Sequence, residues 1–217
     1  MTLVVEPLHA HTPSPSVFLV KTSPGRYHSG LIFTQLNGSR CFLHLAWHLA
    51  LLCDEQLEDD VWTVTPADDY DTLENLNDLA RLVWDAHSNG ELQYGLELAN
   101  ASIRADGVIV LGTSHGLTCA SFVLLLYQNV GAPLLRLGEW STHRSERRRS
   151  EDDAAQQALV DALNKHYPAH AALVQQTVGC ARFRPEEVAA ASGLPDRPVG
   201  FEVASKLGQD VLNHLPS

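Results

Sequence analysis

"RYHSGLIFTQLNGSRCFLHLAW", residues 26–47, carries the turn signal that organises the chain. Asn37-Gly38 is flanked on both sides by β-branched, aromatic and leucine-rich runs. An Asn-Gly pair supplies the two positive-φ residues of a tight hairpin turn, so the stretch predicts two antiparallel strands. A turn centred there pairs residues whose numbers sum to about 75. His28 then faces a residue near Trp47, and His44 falls about three positions away along the ladder. With a bulge or slip, two imidazoles at that spacing come close enough for one to orient the other.

Outward from the hairpin, "SVFLVKT" (16–22) and "DDVWTVTP" (59–66) read as further strands. "DDYDTLENLNDLARLVWDAH" places leucines at helical spacing behind a capping Asp or Thr, with Gly90 as its stop. "GVIVLG" (107–112) is a short buried or extended run, and the segment 91–106 has no decisive period. "LTCASFVLLLYQNVG" is an apolar helix with Thr118 as N-cap and Gly131 as stop. The basic cluster "HRSERRRSEDD" (143–153) is followed at once by acids and reads as a solvated loop; the remainder is mostly helical. The expected fold class is α+β, one domain over 1–217, with a core at 16–135 and a helical extension at 136–217.

Cys119 is the residue around which a chemistry can be built. In the first turn of a helix its sulfur faces N–H groups that lack a helical partner, at the positive end of the dipole. Both favour a thiolate, and the same N–H groups can hold an oxyanion. An imidazole completes the proton traffic.

Here the sequence resembles a known family. "RYHSGLIFTQLNGSRCFLHLAW" and "TCASFV" are similar to the histidine hairpin and the cysteine helix of the lecithin:retinol acyltransferase family. That family is a circularly permuted branch of the NlpC-type, papain-like thiol hydrolases. The resemblance implies a papain-like antiparallel sheet packed on a cysteine-bearing helix. It also implies Cys119 as nucleophile, His28 as general base and His44 as orienting residue, and it covers roughly residues 16–131. Thr118 stands where the family carries Asn, and the His28–His44 spacing is longer than the family's. Thr118 and His115 are secondary candidates for the pocket and oxyanion site.

The expected activity is cysteine-dependent hydrolysis of an amide, peptide or isopeptide bond through a thioester. Alternatives within the fold are an exported peptidoglycan amidase, a lipid acyltransferase and a catalytically silent binding module. A rival constellation is zinc held by Cys41, His44, His48 and Cys53, although their spacing matches no common zinc frame.

Composition narrows the partners. The 217 residues carry a formal net charge of −11, which repels phosphate backbones and anionic lipid surfaces. No nucleic acid and no membrane insertion are expected, and no cofactor motif is present: "VLGTSHG" lacks phosphate-loop spacing. The substrate is expected to be a peptide, a protein or an acylated small molecule. Four widely spaced cysteines and the lack of an ordinary secretory signal suggest reduced thiols and a cytoplasmic setting, with export by a dedicated machine as the alternative.

Overall fold

The computed structural model describes residues 3–8, 12, 14–23, 25–57, 60–89, 91–140 and 145–215. Among them the chain is α+β, with a six-stranded antiparallel sheet and six α-helices. The strands are β1 (Val5–Pro7), β2 (Ser16–Ser23), β3 (Arg26–Thr34), β4 (Arg40–Trp47), β5 (Ala50–Asp54) and β6 (Val61–Val64). Their order across the sheet is β1-β6-β2-β3-β4-β5. Then come α1 (Tyr70–His87), a two-stranded ribbon of β7 (Ser102–Ile103) and β8 (Ile109–Val110), and α2 (Cys119–Asn129). The chain ends in α3 (Glu146–Asn164), α4 (Pro168–Gln175), α5 (Pro185–Ser192) and α6 (Phe201–His214).

The expected hairpin is β3–β4. Leu31 pairs with Leu43 and Thr34 with Arg40, one residue from the anticipated register, because the turn spans 35–39 with Gly38 but not Asn37 at positive φ, in place of a two-residue Asn-Gly turn. Strand alternation gives the sheet two buried faces. Val17, Leu19, Leu31, Phe33, Leu43 and Leu45 join the main core with α2. Phe18, Val20, Ile32, Phe42 and Val61 form a second cluster on the other face, covered by Leu8 and Leu57.

α2 is buried on every side from Cys119 to Tyr127, as expected for a central helix without a polar stripe. Its start follows from local chemistry. Thr118 Oγ1 accepts from the Ser121 N–H at 3.1 Å, and Ser121 Oγ accepts from the Thr118 N–H at 2.7 Å. These reciprocal bonds satisfy two donors at the helix entrance. α1 opens on an Asp69 cap and locks the sheet through Asn77, whose amide bonds both the N–H and the C=O of Thr34. The proposed stop at Gly90 lies outside the described residues.

After β4 the chain reverses at Leu49, with φ of 60°, and returns as β5. Two expectations require correction. The basic cluster does not form a solvated loop throughout. Ser145 caps α3, whose first turns include Arg148 and the fully buried Asp152; positions 141–144 lie outside the described residues. Finally, the cysteines are not all free thiols, because β5 brings Cys53 to Cys41 as a disulfide with Cα atoms 5.7 Å apart. No helix among the described residues is long and apolar enough to cross a membrane.

Candidate active site

β3, β4 and β5 assemble a chain of polar groups. His28 Nε2 lies 2.7 Å from His44 Nδ1, and His44 Nε2 lies 2.8 Å from Asp54 Oδ2. The carboxylate only accepts, so it fixes the proton of His44 on Nε2 and leaves Nδ1 as an acceptor. His28 then donates from Nε2, and its own Nδ1 carries a lone pair. That nitrogen has no hydrogen-bond partner among the described residues. Gly30 makes the arrangement possible: a Cβ there would lie 2.7 Å from the Cβ of His44 and 2.5 Å from both Leu43 O and Phe18 Cε1.

Burial sets the charge of the relay. It lowers His28 to about 4. It also lowers His44, against the opposing pull of the Asp54 hydrogen bond. Both imidazoles are neutral at pH 7. A histidine of pKa 6.5 when unfolded and about 4 when folded leaves stability unaffected above pH 6.5. As pH falls from 6.5 towards 4 the unfolded chain takes up the proton first, so stability is lost across that window. The loss attributable to His28 is at most about 3 kcal/mol. Urea midpoints at pH 7 and pH 4.5 are expected to show it, and His28→Gln is expected to narrow the difference. An unchanged pH dependence in that variant would contradict the buried neutral imidazole.

Cys119 is the first residue of α2, as the sequence implied, but its environment differs from expectation. The Ser29 N–H and hydroxyl, the Tyr94 hydroxyl and the Ala120 N–H all lie against the sulfur and favour its ionised form. Ser29 Oγ is buried beside the sulfur and makes no full hydrogen bond among the described residues. Burial nevertheless outweighs these donors, and the thiol is pushed up rather than down. The residue is 6% exposed, and taking a thiolate out of water costs more than the helix end returns. Tyr94 is likewise pushed well above its ordinary value by burial, and next by Cys119.

The structure brings His28 and His44 together and does not hydrogen-bond either to Cys119. Alternation along β3 is the reason. Ser29 faces α2, whereas His28 and His44 face the second cluster, where both pack against the Phe18 ring. Yet the β3–β4 ladder stops at the Leu31–Leu43 pair, short of these residues. A cavity of about 640 Å³ opens there, lined by both His28 and Cys119 together with Tyr27, Trp47, Tyr94 and Arg182. α3 supplies much of its far wall through Ala155, Ala158 and Leu159. A second, smaller cavity of about 120 Å³ reaches Thr118 and Cys119.

Thr118 spends its hydroxyl on the capping box. His115 sits in the turn ahead of α2 and lines neither cavity. The Cys41, His44, His48, Cys53 quartet is dispersed. The cysteines bond to each other, His44 joins the relay, and His48 accepts from the Tyr94 N–H at 3.3 Å while stacking on His170. Sequence reasoning missed Asp54, Ser29 and Tyr94. Asp54 follows once β5 is recognised, since it sits diagonally across from His44. Tyr94 lies in a segment without periodicity and gave no signal.

No family model, curated protein or solved structure matches the chain.

Proposed function

We propose that the chain is a cysteine-dependent hydrolase of amide or peptide bonds, built on a permuted papain-like core. The observation that carries this reading is the His28–His44–Asp54 relay, whose terminal imidazole lines one cavity with a cysteine at a helix N-terminus. At rest the pair is neutral thiol and neutral imidazole, so the thiol is activated only during attack. Cys119 Sγ adds to the scissile carbonyl as its proton passes, through a water in the cavity, to His28 Nδ1. The first-turn N–H groups of α2 stabilise the oxyanion. Collapse breaks the C–N bond, and the imidazolium proton goes to the leaving amine. Water, deprotonated by the same imidazole, then cleaves the thioester and restores the thiol.

An acyloxymethyl ketone probe is expected to modify the peptide containing Cys119, and neither Cys119→Ala nor His28→Ala protein is expected to react at that site. A wild-type chain unmodified at Cys119 would sink the proposal. A second reading, a silent binding module of the same fold, is favoured by one observation: the sulfur is buried against Ser29, with no imidazole in contact. That unreactive wild type is what it predicts.

A further inference from the structure

Glu186 lines the cavity that holds Cys119 and His28, and the hydrolase reading gives it no task. It is the second residue of α5 and is 8% exposed. Burial lifts its carboxyl above the usual range. Among the described residues no other side chain donates a hydrogen bond to it. Arg182 and Arg184 line the same cavity and attract it, but their hydrogen bonds go to other carboxylates. Arg182 bonds Asp152 at 3.1 Å, and Arg184 bonds both Asp152 at 3.1 Å and Glu151 at 3.2 Å. The adjacent Glu187 contrasts with it, being held by Arg148 at 2.8 Å and by the Ser205 hydroxyl at 2.8 Å. A carboxyl whose one donor is the N–H of its own residue keeps acceptor positions that a ligand entering the cavity can fill. The same cavity is lined by Tyr27 and by Trp47 and Tyr94, whose rings pack together at 5.3 Å; aromatic rings of this kind attract cations.

We propose that Glu186 forms, with these aromatic walls, a binding site for a ligand bearing a primary ammonium group. An ammonium supplies further donors and a cation not shared with another carboxylate, and its methylene flank packs on the rings. The net charge of −11 favours the approach of such a cation. Resting on the hydrolase reading, this selects amide substrates with a free amino group near the scissile bond. The site itself needs no turnover.

Cys119→Ala protein keeps the test independent of catalysis. Glycinamide and acetamide, alike in size and differing in the ammonium, would be titrated while the indole N–H resonance of Trp47 is followed. Glycinamide is expected to shift the resonance in a saturable manner and acetamide to leave it unmoved. Glu186→Gln in the same background is expected to weaken glycinamide roughly tenfold or more, as loss of a charge-assisted bond requires. A circular dichroism spectrum matching that of the parent would confirm that the variant folds. Equal responses to the two amides, no response to either, or unchanged binding in the variant would overturn the site. If glycinamide binds yet no probe modifies wild-type Cys119, the hydrolase reading fails and the ammonium site stands.

Discussion

His28→Ala is expected to slow acylation of Cys119 by roughly 10²–10⁴-fold, the range that a positioned general base supplies. The size follows from the resting charges. With the thiol pushed up by burial and the imidazole pushed down to about 4, little thiolate exists before the substrate arrives. The base is therefore needed in the attack itself. Asp54→Asn should come close to the same loss without touching the cavity. An amide can present its NH₂ to His44 Nε2, which moves the His44 proton to Nδ1 and leaves His28 Nε2 as acceptor. Nδ1 then carries the His28 proton and the base is gone. Because His28 is already neutral above about pH 4, the acidic limb of the wild-type rate profile should fall near pH 4 rather than near 6.5. Pre-steady-state acylation rates across pH would check all three expectations. An Asp54→Asn chain as fast as wild type would show that the relay does not set the tautomer.

Asp152→Ala is expected to cost about 3–5 kcal/mol of stability, the range found when one partner of a buried ion pair is removed. The carboxylate is wholly buried in α3 and accepts from Arg148 at 3.0 Å, Arg182 at 3.1 Å and Arg184 at 3.1 Å. Arg148 is itself only 12% exposed and also pairs with Glu187 on α5. Truncation leaves Arg148 with Glu187 alone and Arg184 with Glu151 alone, takes from Arg182 its ion-pair partner, and opens a void between them. The same network ties α3 to α5 and to the segment before it, and so holds the far wall of the cavity. Urea unfolding would measure the effect, with Asp152→Asn expected to recover part of it by keeping an acceptor in place. A loss below about 1 kcal/mol would mean that the cluster behaves like a solvated surface pair.

The legible parts of the sequence were those governed by local chemistry. Asn37-Gly38 dictated the hairpin and placed His28 and His44 within reach of each other. Thr118 dictated where α2 begins. The unread parts were set at longer range. β3 is apolar or small on both faces from Ser29 to Phe33, so its period of two is silent, and nothing indicated that Ser29 rather than His28 would turn towards the sulfur. The reversal at Leu49 uses a leucine at positive φ, without the glycine that usually marks such a turn, which hid β5, Asp54 and the Cys41–Cys53 bond. In α3 the charges Arg148 and Asp152 were visible four residues apart, but their burial depends on α5 folding over them.

The helical extension is not an appendage in this structure. α5 packs on β2, β3 and α2, α3 walls the Cys119 cavity, and His170 of α4 reaches the Tyr94 carbonyl at 2.7 Å. Whatever enters the cavity therefore meets the extension as well as the core.

The most direct test of a Cys119 nucleophile served by His28 is a burst experiment with p-nitrophenyl acetate. About one equivalent of p-nitrophenol per chain is expected, with an acetyl group on the peptide containing Cys119, because acylation through the positioned base precedes slower deacylation. The burst should vanish in Cys119→Ala. A burst that survives that substitution, or a wild-type chain that shows none, would contradict the account.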